Sequence, residues 1–156
     1  MHSQIFVLAE DINNIDFENM PTEDELFALL DSTVNCVSVE TSLEEDIQCF
    51  DITYNVKPKP IKFKGNTIYK INKNNLITAL KEEKKKRLKE VREILSKNDD
   101  EIDPSLVAKK IYNKLGFFFF FIDIDMGILN EMDLLENSNL IKSDTIYIVI
   151  SFDYHF

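Results

Sequence analysis

Gly116-Phe117-Phe118-Phe119-Phe120-Phe121-Ile122-Asp123-Ile124-Asp125 decides the fold. Five consecutive phenylalanines cannot alternate between core and water. In a strand they point to both faces, so both faces must be covered. The run is short, aromatic and opened by a glycine, which favours a strand over a buried helix. An unpaired segment of this kind would aggregate, so it is expected inside a sheet. Burial of each Phe contributes roughly 1.5–3 kcal/mol. A second apolar run, Thr145 to Phe152, is expected beside it, which places the central strands near 117–124 and 145–152.

Working outward, Ile5-Phe6-Val7-Leu8-Ala9 reads as a first strand, followed by a polar loop from Asp11 to Met20. Thr22 and Glu25 form a capping-box pattern for a helix with Leu26, Phe27, Leu29 and Leu30 as its buried stripe. The β-branched content of residues 33–41, with Thr33, Val34, Val37, Val39 and Thr41, reads as a strand. Ser42 and Glu45 repeat the capping pattern ahead of Leu43, Ile47 and Phe50, and the alternation of Ile52, Tyr54 and Val56 reads as a strand. Lys57-Pro58-Lys59-Pro60 is expected to interrupt regular structure and marks a possible lobe boundary near 57–60. Gly65-Asn66 between two short apolar-alternating runs predicts a hairpin. The longest helix is expected over about 75–97, and another from the Asp103-Pro104 start to Gly116. Met126-Gly127 turns the chain into a short helix over 128–141. The whole predicts an α+β fold, one domain over 1–156, with a mixed sheet and helices on at least one face.

Charge is distributed unevenly. Residues 1–56 hold 13 Asp/Glu and no Lys or Arg, residues 57–115 are net +9, and residues 116–156 are net −6. Acidic and basic segments would attract one another in the fold, and an acidic face would also meet a basic partner. Glu23, Asp24, Glu44, Glu45 and Asp46, all in expected first turns of helices, are the candidate partner-binding residues. The same position favours the helix dipole, so part of their purpose is structural. Lys84, Lys85, Lys86 and Arg87 form an alternative basic patch, although the interleaved Glu82, Glu83, Glu90 and Glu93 weaken any attraction for phosphate.

Catalytic signals are sparse. The alternative reading is a metal-dependent hydrolase or nuclease, in which Asp123, Asp125 and Asp153 would form a Mg²⁺ or Mn²⁺ site only if their two strands run parallel. Otherwise these acids serve as gatekeepers against strand pairing. Phe121 to Gly127 resembles the apolar-strand-Asp-x-Asp motif of haloacid-dehalogenase-like phosphatases. Ile128 stands where that motif has Thr, and the likeness assigns no family. With three glycines there is no phosphate-binding Gly-rich loop, and Cys36 and Cys49 lack zinc spacing and read as reduced core thiols. No cofactor is implied. No stretch of 18 apolar residues predicts a membrane span, and the Met1-His2-Ser3-Gln4 start is a poor signal peptide. These readings favour a small, acidic, cytoplasmic binding protein over an enzyme. Its partner would be a larger basic protein such as a nucleic-acid-handling enzyme that it inhibits, in the manner of mobile-element or immunity proteins. Oligomeric state is not encoded legibly.

Overall fold

The structure, a computed structural model, describes residues 2–30, 36–39, 42–96, 105, 119–123 and 127–155. The fold is α+β, built on one seven-stranded mixed sheet. In chain order its elements begin with β1 (His2–Ala9), two 3-10 turns (Ile12–Asn14 and Phe17–Asn19), α1 (Glu23–Leu30), β2 (Cys36–Ser38) and α2 (Leu43–Tyr54). The hairpin β3 (Lys59–Phe63) and β4 (Asn66–Asn72) leads into the long α3 (Lys73–Leu95). After these come β5 (Phe119–Asp123), β6 (Gly127–Asn130), α4 (Glu131–Glu136), a 3-10 turn (Ser138–Leu140) and β7 (Thr145–His155).

The strand order is β3-β4-β7-β1-β5-β6, so both expected central strands are interior. They are not neighbours, however. β1 lies between them, antiparallel to β7 and parallel to β5. The reason is visible in β1 itself: Ile5, Phe6, Val7 and Leu8 are all fully buried, so this short run has both edges and both faces occupied. β7 is long enough to serve three strands. One edge pairs with β1; the other pairs with β4 along Thr145–Ile148 and with β2 along Asp153–His155.

Alternate residues of β1 face opposite layers. Phe6 and Leu8 join α2, α3 and α4 in the larger core, whereas Ile5 and Val7 pack with Leu26 and Leu30 of α1 and with Phe152 and Tyr154. A β-bulge modifies the pattern. Val7 pairs with Ile150 but Leu8 with Ile148, leaving Val149 as the extra residue. The bulge shifts the phase of β7, so Ile146, Ile148 and then Ser151 lie on the α2 side.

Several local expectations are corrected. Residues 52–54 are the last turn of α2, not a strand. Phe50 and Tyr54, four apart, are both buried with ring centroids 5.2 Å apart, and Asn55 ends the helix in the left-handed conformation. The hairpin turn is Lys64-Gly65, one residue earlier than expected, because both have positive φ as a type I′ turn requires. Pro60 lies inside β3, tolerated because β3 is an edge strand. Residues 127–130 form a strand paired to β5 instead of opening a helix; Asn130 then caps the short α4 with a capping box to Asp133. On α1, Leu26 and Leu30 are buried but Phe27 and Leu29 are 44% and 57% exposed, so the stripe is narrower than expected. Apart from helical Ser105, the expected helix of residues 103–115 lies outside the described residues, as do Phe117 and Phe118.

The α2 assignment has a direct consequence. Phe50 packs on Phe6 at a centroid distance of 5.1 Å, so Phe50→Ala should cost about 3–5 kcal/mol in urea unfolding. Ile52, 84% exposed on the helix, should tolerate Ala within about 0.5 kcal/mol. Comparable large losses at Ile52 and Phe50 would contradict the helical register.

Candidate partner-facing acidic surface

Both acidic helices start in the same way. At α1, the Glu25 carboxylate accepts from the Thr22 backbone N–H (2.8 Å) and hydroxyl (3.1 Å), while the Glu25 N–H donates to Thr22 Oγ1 (3.3 Å). At α2, the Ser42 N–H and hydroxyl each donate to Glu45 at 2.9 Å, and the Glu45 N–H donates to Ser42 Oγ at 3.3 Å. These reciprocal boxes satisfy backbone donors that a helix start leaves unpaired.

α1 and α2 pack on opposite faces of the sheet, and β2, on the edge of β7, lies between them in the chain. Glu23 Oε1 accepts from the Val39 N–H at 2.9 Å, fixing the start of α1 against the chain just after β2. Ser42, the cap of α2, follows three residues later, a reach of at most about 11 Å. Glu23, Asp24, Glu44 and Glu45 are all exposed around this edge, with Val39 56% exposed among them. Asp24, Glu44 and Glu45 pair with no Lys or Arg among the described residues, where the ion pairs (Lys86–Glu83, Arg87–Glu83 and Lys89–Glu93) all lie within α3. Burial, and then the charge of Glu44, raises the Tyr69 hydroxyl above its ordinary pKa, which places the start of α2 above β4.

Asp46 does not belong to this surface. It is 1% exposed, and its Oδ2 accepts from Ser151 Oγ at 2.5 Å. Asp46, Ile47, Phe50 and Tyr54 share the buried side of α2, and the bulge in β7 brings Ser151 to that side. Asp153, next but one along β7, is also buried. A carboxylate beside an apolar stripe is read as solvent-facing from sequence; in the fold the Ser151 hydrogen bond helps to offset its burial.

The basic patch divides similarly. Lys84, Lys85 and Lys86 are exposed, but Arg87 is buried. Its Nε donates to Glu83 Oε1 (3.2 Å) and its Nη2 to the Tyr54 hydroxyl (3.0 Å), joining α3 to α2. The favourable four-residue spacing of Glu83 and Arg87 is legible in the sequence; the burial is not.

Asp123 and Asp153 of the alternative metal site are not brought together. Parallel pairing of β5 with β1 and antiparallel pairing of β1 with β7 make β5 and β7 antiparallel. Asp123 pairs with Leu8 and Asp153 lies opposite Gln4, so they differ by about 13 Å along β1, in addition to two inter-strand spacings of about 4.8 Å. Asp125 lies outside the described residues. Among the described residues no group of three or more His, Cys, Asp or Glu could hold a metal ion. Cys49 is exposed, contrary to its expected place in the core.

Comparison with protein-family models, with curated proteins and with solved structures finds no match.

Hydrogen bonds from Thr22 and Ser42, the backbone N–H first and the hydroxyl second, lower the pKa of Glu25 and Glu45 below the ordinary 4.5. A lowered folded-state pKa adds stability above the unfolded value that is lost as pH falls through the folded one. Glu45→Gln should therefore lower the melting temperature at neutral pH, and the gap to the native protein should close as pH falls below about 4.5. A gap independent of pH in thermal melts would contradict the capping role of the ionised group.

Proposed function

We propose that the protein is a non-enzymatic binding protein whose acidic edge engages a basic surface on a larger partner protein. The observation that supports this reading is the cluster of exposed carboxylates Glu23, Asp24, Glu44 and Glu45 around β2. Asp24, Glu44 and Glu45 have no cationic partner among the described residues, and residues 1–56 contain no Lys or Arg to neutralise them. Helix stability accounts for Glu25 and Glu45 as capping-box partners, whereas Asp24 and Glu44 belong to neither box and remain available to a ligand. Exposed Val39 supplies an apolar centre within the charged rim, the arrangement of polar rim and apolar core found in protein interfaces.

The partner class that best matches a negatively charged protein of this size is a nucleic-acid-handling enzyme, whose basic groove the acidic edge would occupy in place of phosphate. Complementary charge of this kind accelerates association. Such a role suits a cytoplasmic inhibitor of mobile-element or immunity type. Direct nucleic-acid binding is disfavoured by the net charge of −10. No described helix is long and apolar enough to cross a membrane.

The test is affinity capture from native lysate at low and high salt, using the native protein and a variant combining Asp24→Asn and Glu44→Gln, with capping Glu45 left intact. Asp46 is left intact because its change would disturb the core. Each exposed charge contributes only about 0–1 kcal/mol to folding, so the variant should remain folded. The captured partner should associate more slowly with the variant, with a flattened salt dependence. Equal association rates for both proteins would remove the acidic edge as the interface.

A further inference from the structure

We propose that a lysine-lined recess at the β3–β4–α3 junction binds the phosphate group of a small phosphorylated molecule. The recess has a volume of about 320 Å³, and its described polar lining is Lys57, Lys59, Lys70, Asn72, Asn75 and Thr145. No Asp or Glu is among the described lining residues, in a chain with 28 acids and 18 Lys/Arg.

Three features of the lining are costly for the fold alone. Lys59 and Lys70 are directly opposite each other in the β3–β4 ladder. Cross-strand partners have Cβ atoms about 5 Å apart, and like charges there are destabilising. Neither ammonium forms an ion pair among the described residues, although neighbouring Lys62 on the same strand donates to Thr67 Oγ1 at 2.6 Å. Lys57 adopts φ of 55°, a left-handed conformation disfavoured for a residue with a side chain, and is held there by its N–H donating to Asp51 Oδ1. The neutral groups favour the same ligand. Asn72 Oδ1 is occupied by the Asn75 N–H at 3.2 Å, which leaves the Asn72 amide NH₂ as a donor. The Thr145 N–H is occupied by Ser143 Oγ at 3.2 Å, which leaves its hydroxyl. A site rich in uncommitted donors and poor in acceptors suits an anion, and the phosphate group, with several acceptor oxygens, matches three cations at one place.

The test is calorimetric titration of the full chain with inorganic pyrophosphate and, separately, with a nucleoside diphosphate. A saturable one-to-one isotherm is expected with at least one of them, weakened tenfold or more in Lys59→Gln/Lys70→Gln. It should be unchanged in Lys84→Gln/Lys85→Gln, which lies about 14 Å further along α3. Matched affinities for the two ligands would assign recognition to the phosphate group itself; preference for the nucleotide would extend the site to the nucleoside. Absence of saturable binding, or equal weakening in both lysine pairs, would overturn the proposal. Lys59→Glu provides a check independent of folding defects. It replaces a repulsive cross-strand pair with an attractive one, so it should raise the melting temperature without ligand and abolish pyrophosphate binding. A stabilised Lys59→Glu protein that still binds would also overturn the site. Neutralising Asp24 of α1 should leave this binding intact, which separates its outcome from that of the acidic edge.

Discussion

The structure depends on the placement of β1 between β7 and β5. Ile5, Phe6, Val7 and Leu8 have no exposed surface, and the strand is hydrogen-bonded along both edges. Burial of these four side chains contributes roughly 1.5–3 kcal/mol each, and the pairing satisfies the backbone groups that would otherwise be stranded in the core. Because β1 is antiparallel to one neighbour and parallel to the other, it also sets the direction of every long strand. Asp123 and Asp153 are thereby sent to separate places, and the chemistry that would need them together has no site. From Phe6 the packing continues through Phe50 and Tyr54 of α2 to Arg87 and Glu83 of α3, so a single chain of contacts ties the sheet centre to the outer helix.

At the surface, charge and topology act together. α1 and α2 lie on opposite faces of the sheet and flank in the chain β2, a three-residue strand bonded to the end of β7. Glu23 occupies the Val39 N–H at this edge, and the surrounding carboxylates discourage pairing with foreign strands. The same charges that protect the edge are available to a basic partner. Further along the same edge of β7, where β4 replaces β2, the β3–β4 hairpin places Lys59 and Lys70 opposite one another. Acidic and basic side chains therefore lie at successive stretches of one edge of β7, carboxylates beside β2 and lysines on the β3–β4 hairpin.

Much of the fold is legible because several signals are local and strong. The two capping boxes, the apolar run of β1 and the long charged α3 all match their sequence patterns. Other features depend on information a linear pattern does not contain. Ile52, Tyr54 and Val56 alternate like a strand, yet Tyr54 also continues the helical spacing from Ile47 and Phe50; the buried contact with Phe50 decides between the periods. Gly127 to Asn130 joins β5 because a neighbour is there to pair with, not because its residues are strong strand formers. The bulge at Val149 leaves no mark in the sequence, and without it the burial of Asp46 beside Ser151 cannot be foreseen. Of the candidate acidic residues, Glu23, Asp24, Glu44 and Glu45 are exposed while Asp46 is internal, so the surface was readable as a charge pattern but its membership was not.

The central position of β1 is tested most directly by nuclear Overhauser contacts between backbone protons in the native protein. Phe6 should show cross-strand contacts to Ser151 on one side and to Phe121 on the other, with no direct backbone contacts between residues 119–123 and 146–152. Direct contacts between those two segments, with β1 at an edge, would contradict the account and return Asp123 and Asp153 to a shared neighbourhood.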